Sequence, residues 1–292
     1  MEILRLLNKA ILRKVKSYIF LFRLNKPFLA VPFTITTAFL VSNDQPDTKK
    51  LIGIIIAVIG GFMSGNAFNA ITDRNIDKLN PRTDSRPLTT NDLSVKEAAI
   101  ALLFSVMAVI IGTAIINLWY ILLLPIPLAL CFGYSLSKRF TWLCHLILGV
   151  TNAICPVSSW GVFSGWFEVG QLLIGSIVVF WTMGFELLYS SQDVEFDKKS
   201  NMKSIPVTFG LKFTFKLSVI CHIIMYVMIA LLMYQLQTGL CFAIGVILSV
   251  PLIVTEHMLV KGEKLMHPKI AFDLNQLFSL TLMLFAIIDN GL

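Results

Sequence analysis

Apolar positions along this chain gather into nine long runs, each near the ~20 residues that a helix needs to cross a bilayer. Their approximate bounds are 20–42, 51–72, 97–116, 118–136, 143–162, 170–191, 214–234, 239–257 and 271–289. Very little separates the third run from the fourth. Residues 1–19 have a different pattern: Ile3, Leu4, Leu7, Ile11 and Val15 recur with Lys and Arg between them. That predicts an amphipathic basic segment lying on anionic lipid. It is too basic, and the apolar run after it too long, for a cleavable signal peptide. The expected architecture is all-α: residues 1–19 on the membrane surface, then one transmembrane domain over 20–292 with about nine helices in a bundle.

Composition agrees. Hydrophobic residues make up 56%, charged residues 14%, and mean hydropathy is +0.78, whereas a soluble domain carries about 25% charged residues. The charges also orient the chain. If nine helices alternate, 22 of the 24 basic residues fall on one side, and only Lys49 and Lys50 fall on the other. The positive-inside rule then puts the N-terminus in the cytoplasm. The same rule explains the net charge of +7 without nucleic-acid binding. The five cysteines form no CxxC pair and read as small packing residues.

Polar residues that break the apolar pattern carry the chemistry. Asn69, Asp73 and Asp77 follow one another at four-residue spacing at the end of the second run. On a helix such residues drift only about 40° per step and share a face. Asp193 and Asp197 repeat the spacing at the end of the sixth run, with Glu186 nearly in line. Carboxylates grouped beside a membrane are costly unless cations neutralise them, and divalent ions such as Mg²⁺ do so. Basic residues stand close behind: Arg82 and Arg86 after the first group, Lys203 after the second. Phosphates explain both signs of charge, since Mg²⁺ bridges carboxylate to phosphate oxygen and Arg or Lys neutralises the rest. Arg23 is read two ways, as a snorkelling interface residue or as a contact for an acidic substrate. Tyr134 and Lys138 form a further four-spaced pair. His145 reads as a packing residue, and Asp273 and Asn275 as helix caps.

Asn69-x-x-x-Asp73-x-x-x-Asp77, Tyr134-x-x-x-Lys138 and Asp193-x-x-x-Asp197, in this order and with the tails Asn80-Pro-Arg-Thr-Asp-Ser-Arg86-Pro and Ser204-Ile-Pro, resemble the UbiA superfamily of intramembrane aromatic prenyltransferases. Within it the chain looks most like the bacterial 4-hydroxybenzoate polyprenyltransferases. Two departures stand out. Glu195 and Glu186 occupy positions where relatives often have Asp, and Asn25 stands where many have Asp.

The resemblance implies transfer of a polyprenyl chain from polyprenyl diphosphate to the ring carbon ortho to the phenol of 4-hydroxybenzoate, in a bacterial inner membrane. Asp73, Asp77, Asp193, Asp197 and Asn69 would hold Mg²⁺. Arg82, Arg86, Lys138 and Lys203 would neutralise the diphosphate, Tyr134 would orient it or face the allylic cation, and Arg23 would hold the acceptor's carboxylate. A naphthoate acceptor of the menaquinone (futalosine) route fits the same chemistry. A cation-coupled transporter or a membrane scaffold is the competing class. The first predicts charges near the bilayer middle, and the second needs no matched Asp pairs.

Overall fold

A computed structural model of the chain describes residues 2–24, 30–42, 45–262 and 264–291, with side chains from residue 11 onward. Twelve helices follow one another: α1 Glu2–Leu21, α2 Ala30–Val41, α3 Thr48–Asp77, α4 Val95–Ile116, α5 Pro125–Ser137, α6 Cys144–Phe163, α7 Val169–Ser190, α8 Val194–Lys199, α9 Ile205–Phe209, α10 Leu211–Leu236, α11 Leu240–Met258 and α12 Pro268–Gly291. A small hairpin, β1 Val260–Lys261 with β2 Lys264–Leu265, joins α11 to α12.

Each of the nine predicted runs contains helix. Eight of the resulting segments are long and apolar enough to cross a membrane. The first run differs from its expected form. Only Ala30–Val41 of it is a described transmembrane-type helix, of 12 residues, and at 1.5 Å per residue it is about 18 Å long. That is shorter than the ~30 Å hydrocarbon core. The amphipathic segment extends to Leu21, two residues past its expected end. Asn25 lies outside the described residues. The fourth run opens with a 3₁₀ turn over Leu118–Leu123, and Pro125 then starts α5, because proline suits a first helical turn.

Close backbone approach sets the α3–α4 pair. A Cβ at Gly60 would stand 2.8 Å from the Ser105 carbonyl oxygen, and one at Gly112 would stand 2.6 Å from that of Gly53. Small residues at these points let the two helices pack along their length. The far half of the bundle is held by aromatic packing and one polar lock. Phe33 of α2 lies 4.7 Å from Trp181 of α7 between ring centres, and Phe278 of α12 stacks on the same indole at 5.9 Å. The Trp181 Nε1–H donates to Asn275 Oδ1 at 3.0 Å, and Asn275 Nδ2 donates to Glu256 Oε1 at 2.7 Å.

This corrects the reading of Asn275 as a cap. α12 begins at Pro268, so Asn275 sits two turns inside, fully buried. In lipid a polar side chain gains most by bonding a neighbouring helix. The seventh and eighth runs, featureless in sequence, likewise pair His222 Nδ1 with His257 Nε2 at 2.7 Å.

Gly112→Val forces side-chain atoms into the α3 backbone and should lower thermal stability by an overpacking cost of about 1–3 kcal/mol. Gly133→Ala, with nothing within 4 Å of the new Cβ, sits inside α5 and should raise it by about 0.5–1 kcal/mol. Thermal unfolding of the two variants in detergent checks the contrast.

Candidate active site

The ends of α3, α5 and α7 converge on one cavity of about 280 Å³. α3 stays helical through Asp77, so Asn69, Asp73 and Asp77 all face this space, as their spacing predicts. α7 passes through a short 3₁₀ turn into α8, which keeps Asp193 and Asp197 one turn apart and both buried. Glu186 also lines the cavity. Glu195 does not: it sits two residues from each Asp, about 200° round the helix, and is exposed.

Every Asp is matched with a base. Arg82 grips Asp193 with two hydrogen bonds, Nε to Oδ1 at 2.7 Å and Nη2 to Oδ2 at 2.6 Å. Arg86 Nη1 donates to Asp77 Oδ2 at 2.5 Å. Lys138 Nζ lies 3.5 Å from Asp197 Oδ2. Arg139 Nη2 donates to Asp73 Oδ1 at 2.7 Å and to the Thr72 carbonyl at 2.9 Å.

Local chemistry aims Arg82. The Asn80 side-chain oxygen accepts from the Arg82 backbone N–H at 2.9 Å, an Asx turn. Pro81 between them holds its own φ near −65°. Thr83 Oγ1 donates to the Asp77 carbonyl at 3.0 Å and fastens the turn to the end of α3. Burial by itself would lower the Arg82 pKa, but the Asp193 carboxylate more than offsets it and raises it above the ordinary value.

A second chain of contacts starts at Arg23, just past α1. Its Nη2 donates to Asn69 Oδ1 at 3.2 Å, and Asn69 Nδ2 donates to Asp73 Oδ2 at 2.8 Å. Arg23 is half-buried, has a left-handed backbone (φ 53°) and, among the described residues, pairs with no carboxylate. Burial pushes its guanidinium below the ordinary pKa, with Arg86 adding repulsion. A strained, desolvated cation without an anion marks a place for an anionic ligand. Tyr134 lines the same wall.

The structure does not bring Lys203 into the cavity. Its Nζ donates to the Phe140 carbonyl at 3.2 Å and its backbone N–H to the Lys138 carbonyl at 2.7 Å. It clips the turn that carries Lys138, because the chain leaving α8 passes behind that turn. Arg139 takes a place that spacing did not suggest. The four-residue rule points from Tyr134 to Lys138 and away from the next residue. α5 ends at Ser137, however, so the two bases diverge beyond the helix and reach different Asp groups. His145, read as packing, is buried in the cavity wall with Cys144 Sγ 3.5 Å from its Nδ1.

The donor set suits a hard divalent cation: carboxylate and carboxamide oxygens, with Asp197 Oδ2 buried and, among the described residues, approached only by the Lys138 ammonium at 3.5 Å. Among the described residues no three His, Cys, Asp or Glu side chains converge on one point, since each Asp is turned toward its own base. Among the charged residues of the lining, Asp73, Asp77, Glu186, Asp193 and Asp197 stand against Arg23, Arg82, Arg86, Lys138 and Arg139, so the charges balance. An ion and an anion arriving together preserve that balance if the carboxylates turn to the metal and the bases to the anion.

A profile of the UbiA prenyltransferase family matches residues 30–282. The chain belongs to the UbiA prenyltransferase family. It is 27% identical over 280 residues to a 4-hydroxybenzoate octaprenyltransferase of Francisella tularensis subsp. novicida, covering 95% of this chain and 98% of that one. Among solved structures, the apo form of a UbiA homolog from Aeropyrum pernix K1 superposes with TM-score 0.81 at 27% identity, over 90% of this chain and 97% of the other. A UbiA homolog from Archaeoglobus fulgidus bound to GPP and Mg²⁺ shares the fold, with TM-score 0.69 at 21% identity over 94% and 100%. The family, its all-helical membrane fold and the expectation from the motifs agree.

Arg82→Met strands the buried Asp193 carboxylate and should lower stability by about 1–3 kcal/mol, discounted because the guanidinium is partly exposed. Adding Asp193→Asn should recover part of the loss. A double-mutant cycle on thermal unfolding in detergent, without divalent ions, measures the coupling.

Proposed function

We propose that this protein is a Mg²⁺-dependent prenyltransferase that moves a polyprenyl group from its diphosphate to 4-hydroxybenzoate, at the ring carbon ortho to the phenol. The convergence of two Asp pairs and five cationic side chains on one cavity carries this reading. The Francisella relative's name supports the acceptor, and the Archaeoglobus homolog's GPP and Mg²⁺ support the donor and the ion. Asp73, Asp77, Asp193 and Asp197, with Asn69, hold the ion. When bound, Mg²⁺ supplies Lewis-acid stabilisation of the departing diphosphate.

The chain's own groups do the rest. Arg82, Arg86, Lys138 and Arg139, released from their carboxylates, neutralise the diphosphate oxygens as the C–O bond breaks. Lys203 keeps Lys138 in place through the turn. Tyr134 presents its ring to the allylic cation and its hydroxyl to the diphosphate. Arg23 takes the acceptor's carboxylate. Apolar helices around the site exclude water from the cation. The N-terminus and the cavity face the cytoplasm of a bacterial inner membrane, where the basic loops lie. A transporter would place its carboxylates at mid-bilayer, whereas here they gather at helix ends.

Membranes containing the protein should transfer label from a polyprenyl diphosphate to 4-hydroxybenzoate with Mg²⁺ and not with EDTA. Label on a dihydroxynaphthoate instead would reassign the acceptor, and label on neither would refute the reading. Asp73→Ala should lower kcat by at least ~10²-fold while the protein still unfolds cooperatively.

A further inference from the structure

The cavity has a neighbour. A groove of about 450 Å³ runs between α1 and residues 85–92. Phe20, Ser85 and Pro87 line both spaces, so the groove adjoins the cavity across these three residues. Along α1 it is walled by Leu12, Arg13, Lys16, Ser17 and Phe20, which share a helical face. From Phe20 to Leu12 it extends about 12 Å. Its volume far exceeds the ~30 Å³ that one water occupies in the liquid.

Among the described residues, the charge of this groove is positive. Their one lining carboxylate, Asp92, accepts from Arg13 Nε at 2.9 Å and from Thr90 Oγ1 at 3.0 Å. The Arg13 contact first, and then Thr90, hold Asp92 below the ordinary carboxylate range, so it stays ionised and spent on its partner. Lys14 ties α1 to Glu97 of α4 at 2.5 Å. Lys16 makes no ion pair or hydrogen bond among the described residues and is exposed. Its ammonium is the uncompensated charge along the groove.

Prenyl transfer leaves inorganic diphosphate behind in the cavity. A multiply charged ion cannot follow the prenyl chain into lipid; it needs a polar passage to water. We propose that the groove between α1 and residues 85–92 is the passage by which inorganic diphosphate leaves the cavity, with Lys16 as its cationic step. The inference rests on the proposed function above. Donor delivery is the competing use, but a polyprenyl tail needs an apolar route from the bilayer, and this wall carries Arg13, Lys16 and two serines.

A passage has a kinetic signature that a binding site lacks. It changes the rates of arrival and departure by one common factor and leaves Kd unchanged. The test follows binding and chase of radiolabelled inorganic diphosphate with Mg²⁺ on the full-length protein in detergent. Lys16→Glu should slow both rates by about 10-fold, the lower end of electrostatic steering, and the loss should fade at high salt. Leu12→Trp, which fills the groove, should slow both rates irrespective of salt. Kd should stay within about 2-fold of wild type in each, whereas Arg86→Gln in the cavity should raise it.

Unchanged rates in both variants overturn the inference. So does a weaker Kd in Lys16→Glu, which would make Lys16 a ligand of bound diphosphate. A wild-type protein that binds no diphosphate overturns the proposed function itself, and the passage with it. Unchanged diphosphate rates with a raised KM for the prenyl donor would assign the groove to donor delivery.

Discussion

Charge balance in a low-dielectric pocket is the constraint on which the rest depends. Four aspartates at the rim of a membrane bundle cannot stay ionised together without compensation. Here each has its own base: Arg139 on Asp73, Arg86 on Asp77, Arg82 on Asp193 and Lys138 on Asp197. The pairing holds the ends of α3, α5 and α7 together when no ligand is bound. Under the proposed function it also stores the ligand set, with the carboxylates available to the ion and the bases to the diphosphate. On that reading, binding is an exchange of partners within a pocket whose lining charges balance, which avoids creating net charge beside lipid.

The scaffold keeps that exchange local. Glycine-mediated contact between α3 and α4 positions the first Asp group. The Trp181–Asn275–Glu256 lock and the aromatic stack around Trp181 position the helix bearing the second. Both are built of packed, satisfied groups away from the cavity, and both fix rigid elements. The bases come mainly from turns: Arg82 and Arg86 from the segment after α3, Lys138 and Arg139 from the turn after α5. Rigid carboxylates and turn-borne bases suit a site whose ion pairs must open.

Much of this was legible in the linear pattern, for definite reasons. Apolar runs of bilayer length leave a buried polar group few conformations other than helix, so the class and nearly all the spans follow from hydropathy. Four-residue spacing on a helix settles which side chains share a face, so Asn69, Asp73 and Asp77, then Asp193 and Asp197, were readable as two clusters before any fold was known. The limits are as physical. The first run was one segment in sequence, whereas its described helix covers only Ala30–Val41. Pro27 and Pro32 mark an irregular start, but apolar composition alone does not place it.

What the amino-acid sequence determined by itself was the periodic part: membrane helices, two acidic faces, and bases close behind them. Only the tertiary structure decided the pairings. Arg139 reaches Asp73 across 66 residues, Arg82 reaches Asp193 across 111, and Lys203 turns away to hold the Lys138 turn. Asn275 became a bond across helices because α12 starts earlier and buries it. Spacing encodes direction around a single helix axis. Which base meets which acid depends on how helix ends are juxtaposed and how irregular turns leave them, and that is fixed by packing between segments distant in the chain.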